Sequence, residues 1–256
     1  MGLLKLLIQE PLTDLEKCLN HLADGARPQR ALLVSVVAMI PTWFLYVPIH
    51  ELMHAGGCMV SGGTVTKLEI SPQYGGTLLA EWIPWVVSGS DYAGRLSGFD
   101  PAGSDWTYLA TVFAPFLLTV LFGVAIIKMC AKQRRPILMG IGIVIGLAPY
   151  YNVIGDYYEM ASIMVTAAVT SLAGGGEGIA FQTIRSDDVF KLFGTLFTAP
   201  SELGLSGAGA VSAGIALALL SQLLAVVLAF ITYAMGSAFA GLYVKPAANE
   251  VVNHQK

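Results

Sequence analysis

Long apolar runs separated by shorter polar stretches set the pattern of this 256-residue chain. The first run extends from Ala31 to about Val60 and carries Pro41 and Pro48. It exceeds the roughly 20 residues a helix needs to cross a bilayer core. A second run occupies Tyr108 to about Ile127, a third Ile137 to about Leu172, and a last one about Ala208 to Val244. At about 1.5 Å per residue the third run would reach roughly 54 Å, well past a hydrocarbon core of roughly 30 Å, so it must break, tilt strongly or protrude. Its segment "APYYNVIGD" supplies the break, because Pro149 removes a backbone donor and disfavours a helical residue before it. The last run holds no charge and much alanine and glycine, which suits close helix packing.

The polar stretches carry their own signals. Residues 1–30, with Lys5, Lys17, Arg27 and Arg30, read equally as an amphipathic helix on the membrane surface or as a loosely ordered tail. In residues 61–107, "TVTKLEI" and "GTLLAEW" flank Gly75 and Gly76 and predict a β-hairpin, the rest being solvated loop. Residues 173–208 contain "SDDVFKLFGTLF", whose capping serine, early acids and apolar face predict an interfacial helix. No repeat of solenoid type is visible. The expected fold is an all-α polytopic membrane protein, one domain over residues 1–256, with about four transmembrane segments, the third broken near Pro149 to Asn152, and a small β-hairpin after the first.

Composition agrees with that picture: 55% of residues are hydrophobic, 12% are charged, and the mean hydropathy is +0.67. A net charge of -3 without basic, aromatic-interleaved runs offers nothing to nucleic acid. Cys18, Cys58 and Cys130 are odd in number and far apart, which implies no disulfide framework or paired-cysteine metal site. The opening "MGLLKLLIQEP" is too short in its apolar part for a signal peptide and lacks the Ser or Thr that myristoylation needs at position six. The densest positive cluster, "KMCAKQRRP", places itself and both termini on the cytosolic side by the positive-inside rule.

Charge inside the apolar runs is confined to His50, Glu51, His54, Asp156 and Glu159. A buried carboxylate is costly unless paired, and these runs contain no Lys or Arg to pair with Asp156. A divalent metal would supply the missing charge. In "HELMH" the two histidines stand four apart, so a helix presents both imidazoles on one face to one ion. Zinc is the expected metal, taking nitrogen and oxygen ligands and leaving one position for water. Glu51 is then placed to accept that water's proton. Asp156 is the expected third ligand by depth: it lies as far beyond Ile137 as His50 lies beyond Ala31, and one intervening crossing makes the two runs parallel. Glu159, almost a turn further on, is the reserve ligand. Cys58 reads as an inert buried thiol, and His21 and His254 as solvated residues of polar tails.

These residues resemble the site-2 proteases, zinc metalloproteases that cut peptide bonds within the membrane. "HELMHAGGCMVSGGTVTKLEISPQYGG", His50 to Gly76, is similar to that family's HExxH helix with its small-residue stretch, strand and glycine turn. "PYYNVIGDYYEM" supplies an asparagine and an aspartate where the family's second motif lies. There the proline precedes Asn152, the gap to Asp156 is shorter, and Gly-Asp-Tyr replaces Leu-Asp-Gly. The likeness spans about Ile40 to Ser162, without a PDZ or CBS module, as in a minimal or divergent member. It implies zinc on His50, His54 and Asp156, water activation by Glu51, substrate-backbone binding by Asn152, and a membrane-protein substrate cut in its transmembrane segment. It also implies a metal toward the cytosol, whereas the charge cluster carries His50 toward the opposite face, so orientation stays open. Two other classes stay open beside the protease: a non-catalytic metal-binding membrane protein such as a sensor, and a metal-free scaffold. Among membrane-embedded zinc proteases that use a glutamate ligand, Glu159 or Glu177 would take the place of Asp156.

Overall fold

A computed structural model of the chain describes residues 3–172 and 182–244. Glu177 and His254 lie outside them. Among the described residues helices predominate: α1 (Leu3–Ala23), α2 (Pro28–Val60), α3 (Gly76–Trp82), α4 (Asp105–Phe113), α5 (Val124–Gln133), α6 (Pro136–Gly146), α7 (Ala148–Tyr151), α8 (Asp156–Leu172), α9 (Val189–Thr198) and α10 (Gly207–Ala240). The strands are β1 (Thr64–Ile70), β2 (Val86–Ser88) and β3 (Gly94–Asp100).

Three helical stretches are long and apolar enough to cross a membrane among the described residues: α2, the run Asp105–Gln133 that contains α4 and α5, and α10. Leu33 and Leu45 of α2 and Leu223 of α10 are exposed, as on a helix that faces lipid. The third apolar run is divided: α6 ends at Gly146, α7 holds Pro149 at its second position, and a turn over Asn152–Gly155 precedes α8. Its main pieces, of 11 and 17 residues, are each shorter than the roughly 20 residues of a spanning helix.

The chain divides into two compact units, one of Met1–Tyr46, Phe116–Ala148 and Phe230–Lys256, the other of Val47–Pro115 and Pro149–Ala229. In the first, α1 docks on α5. Lys128 of α5 lies 3.1 Å from Glu10 and 2.9 Å from Asp14 of α1, and the Tyr233 hydroxyl donates to Asp14 at 3.1 Å. Within residues 1–30, Leu3–Ala23 is helical, with Cys18 and Leu22 on its buried face. Lys128, a member of the densest positive cluster, is committed to these acids, and His21, read as solvated, has its Nδ1 buried without a hydrogen-bond partner.

The second unit corrects the predicted hairpin. β1 forms as its alternating β-branched sequence requires, but "GTLLAEW" is helical α3. Gly75, at φ 84°, ends the preceding turn and accepts the first bond of α3 from the Leu79 amide. Leu79, Ala80 and Ile83 then pack against Leu68, Ile70 and Val86 beneath the sheet. The strands lie in the order β2-β1-β3, β2 parallel to β1 and β3 antiparallel, so residues expected as solvated loop supply two strands. Leu52 of α2 joins the same apolar cluster and fixes the sheet to the helix that carries the HExxH sequence. The helix predicted at residues 186–197 is α9, capped by Asp188, whose carboxylate accepts from the Lys191 amide at 2.9 Å, rather than by Ser186.

Adjacent glycines of α2 differ in their surroundings. A Cβ on Gly57 would stand 2.6 Å from the Ala114 Cβ and 2.7 Å from the Ala110 carbonyl oxygen, whereas one on Gly56 meets nothing within 4 Å. Gly57→Ala is therefore expected to destabilise by roughly 1–3 kcal/mol through overpacking. Gly56→Ala should leave the melting temperature unchanged or raise it, since alanine favours helix by about 1 kcal/mol. Thermal unfolding of the two purified variants in detergent reads the contrast.

Candidate metal centre

Continuous helix through "HELMH" stacks His50 and His54 on one face of α2, their ring centroids 4.7 Å apart. The His50 Nε2 and His54 Nε2 atoms approach to 3.1 Å. Asp156 comes to meet them: its Oδ2 is 3.1 Å from His50 Nε2 and its Oδ1 3.7 Å from His54 Nε2. Both histidines are buried, and the three side chains form a group that can hold a metal ion.

The His54 ring is fixed from behind. Its Nδ1 lies 2.9 Å from the Thr111 carbonyl oxygen, which can only accept, so Nδ1 carries the proton. In the neutral ring this leaves the Nε2 lone pair aimed at His50 and Asp156. A ligating histidine held through its other nitrogen is the usual outer-shell arrangement of a metal site. Sequence reasoning missed Thr111, because a backbone carbonyl leaves no mark on residue type.

Asp156 reaches the histidines by a route other than depth along a continuous third helix. The turn formed by Gly155 and Tyr157 amides donating to the Asn152 carbonyl, at 3.1 and 3.2 Å, starts a new helix with Asp156 as its first residue. A carboxylate there is favoured by the positive end of the helix dipole. Glu159, the reserve ligand, is not part of the cluster. Its Oε1 accepts a 2.6 Å hydrogen bond from the Tyr108 hydroxyl of α4. Cys58 is buried one turn beyond His54, with its thiol toward the Thr64 carbonyl, 3.6 Å away.

A cavity of 780 Å³ opens beside the cluster, lined by Glu51, His54, Tyr108, Asn152, Asp156 and Glu159 among others. Its volume falls in the roughly 300–1,000 Å³ range of small-ligand sites. Gly94, Leu96 and Phe99 of the edge strand β3 form another part of its wall. The segment before α9 is tied down around it. Arg185 makes a bidentate pair with Asp105, at 2.6 and 3.2 Å, and donates to the Thr166 hydroxyl at 2.8 Å, while Asp187 lies 3.3 Å from Arg95 of β3. Bidentate geometry of this kind fixes orientation as well as charge.

Comparison of the chain with protein-family models, with curated proteins and with solved structures finds no match.

A metal ion held by this group would appear as about one equivalent per chain in elemental analysis of protein purified without chelator. His54→Ala and Asp156→Ala should each weaken retention by more than the roughly 10–100-fold that loss of an outer-shell partner costs. Glu159→Gln, which alters a group hydrogen-bonded to Tyr108, should keep the metal.

Proposed function

We propose that the chain is an intramembrane zinc metalloendopeptidase, akin to the site-2 proteases it resembles, that hydrolyses a peptide bond in a transmembrane segment of another membrane protein. The observation that carries this reading is the convergence of His50, His54 and Asp156 beside a cavity that also receives the Glu51 side chain. Three apolar helices long enough to cross a membrane support the intramembrane part of this reading.

The donor set fits zinc. With ligand bonds of about 2.0–2.1 Å, the edge of a tetrahedron is about 3.3 Å. The separations here are 3.1, 3.1 and 3.7 Å, the last two to different oxygens of the same carboxylate. Two imidazoles and one carboxylate suit zinc better than magnesium or calcium, which favour all-oxygen shells, and three protein ligands are the usual number in a catalytic zinc site. The chemistry that bound zinc supplies is Lewis acidity, which polarises a carbonyl and makes water nucleophilic at neutral pH.

The remaining work falls to the protein's side chains. His50, His54 and Asp156 would hold the ion, with Thr111 keeping His54 in the tautomer that presents Nε2. The Glu51 carboxylate takes a proton from the attacking water and returns it to the departing amine. Asn152, at the cavity wall, offers an amide to the substrate backbone, the role the resemblance implies. A transmembrane helix shields its own peptide bonds, so the substrate must be extended before it is cut. An extended segment lying in the cavity runs beside β3, the edge strand of the sheet, in the manner of strand addition.

Glu51→Gln is the decisive variant. It should retain zinc yet lose cleavage of a transmembrane model peptide by roughly 10²–10⁴-fold, the usual contribution of a general base. Full cleavage by Glu51→Gln would overturn the mechanism. Zinc-loaded wild-type protein that cleaves no transmembrane substrate would favour a metal-binding membrane protein without catalysis.

A further inference from the structure

We propose that Gly94 is a positioning residue for Glu51: the bare backbone at the start of β3 is the wall on which the Glu51 side chain is seated. The inference rests on the reading of Glu51 as the proton-transfer group. Gly94 pairs with Ile70 of β1. Ile70 is fully buried beside Leu68 and Val86, in the cluster that Leu52 of α2 joins. The beginning of β3 is thus fixed against α2 by the residue that follows Glu51 in sequence.

The contact at Gly94 is specific. A Cβ added there would overlap the Glu51 Cγ and stand 2.9 Å from its Cδ and 3.3 Å from its Oε1, and these are the three nearest atoms it would meet. Gly94 is not among the glycines with positive φ, so its backbone conformation is open to alanine. The clash therefore falls on the Glu51 side chain rather than on backbone, and because Cγ is the nearest atom a change of χ1 at Glu51 is what relieves it with the β1–β3 pairing kept. Gly98 on the same strand differs: a Cβ there would stand 2.6 Å from the Thr66 Oγ1 and 2.8 Å from the Lys67 amide nitrogen, so its role is sheet packing. The two glycines thus separate the seating of Glu51 from the integrity of the strand.

The test compares full-length, zinc-supplied Gly94→Ala, Gly98→Ala and Glu51→Gln. Gly94→Ala is expected to lower kcat by roughly 10–100-fold, as a displacement on the order of 1 Å does at a reacting group. Its KM, zinc content and melting temperature should stay at wild-type values, and its solved structure should show the Glu51 carboxyl displaced with β1–β3 pairing intact. Gly98→Ala should lower the melting temperature while leaving the Glu51 carboxyl in its wild-type position. Wild-type kcat in Gly94→Ala, or an unmoved Glu51, overturns the inference. So does a fall in the melting temperature of Gly94→Ala equal to that of Gly98→Ala, which makes Gly94 a packing residue. Cleavage by Glu51→Gln, or none by wild type, overturns the proteolytic reading instead, and the position of Glu51 in the Gly94→Ala structure still decides whether Gly94 seats it.

Discussion

Two buried imidazoles and a partly buried carboxylate impose the constraint around which the second unit is organised. Each group loses hydration on burial, and each must recover it from a fixed partner. His54 does so by donating to the Thr111 carbonyl, and Asp156 by sitting at the N-terminus of α8 within reach of both rings. Continuity of α2 stacks the rings, α4 supplies the carbonyl, and the turn after α7 makes Asp156 a helix start. Three structural decisions thus converge on one small volume, and a divalent ion there would complete the charge balance that they leave open.

The sheet is fixed to the same helix by apolar burial. Leu68 and Ile70 of β1 and Val86 of β2 pack with Leu52, Leu79 and Ile83, so the face of α2 next to Glu51 carries the strands. Antiparallel pairing then brings β3 to the cavity wall, with Gly94 against the Glu51 side chain. Under the proposed function this gives the edge strand two duties, as the surface along which an extended substrate lies and as the seat of the group that moves the proton. Helix α3 serves as a packing brace beneath β1.

Much of this architecture was legible in the order of residues. Apolar runs marked the three helices of spanning length, and the excess length of the third run, with Pro149, marked its division. The HExxH spacing placed two imidazoles on one helical face. The hairpin reading failed because "GTLLAEW" carries apolar residues compatible with either period, and only its packing under β1 selects the helix. Strands β2 and β3 escaped notice because they are short or glycine-rich and gain stability from β1 rather than from their own pattern.

By itself, then, the sequence determined what depends on local periodicity and composition: helices suited to a bilayer, the pairing of His50 with His54, and the isolation of Asp156 from any basic partner in its own run. Tertiary structure decided what depends on residues distant in the chain. It chose Asp156 over Glu159 as the neighbour of the histidines by giving Glu159 the Tyr108 hydroxyl, and it enlisted a backbone carbonyl, at Thr111, that no side chain announces. It also made Lys128, a member of the densest positive cluster, the partner of Glu10 and Asp14. The division has a physical cause: periodicity acts over a few residues, whereas the partner that satisfies a buried polar group can come from anywhere the chain returns.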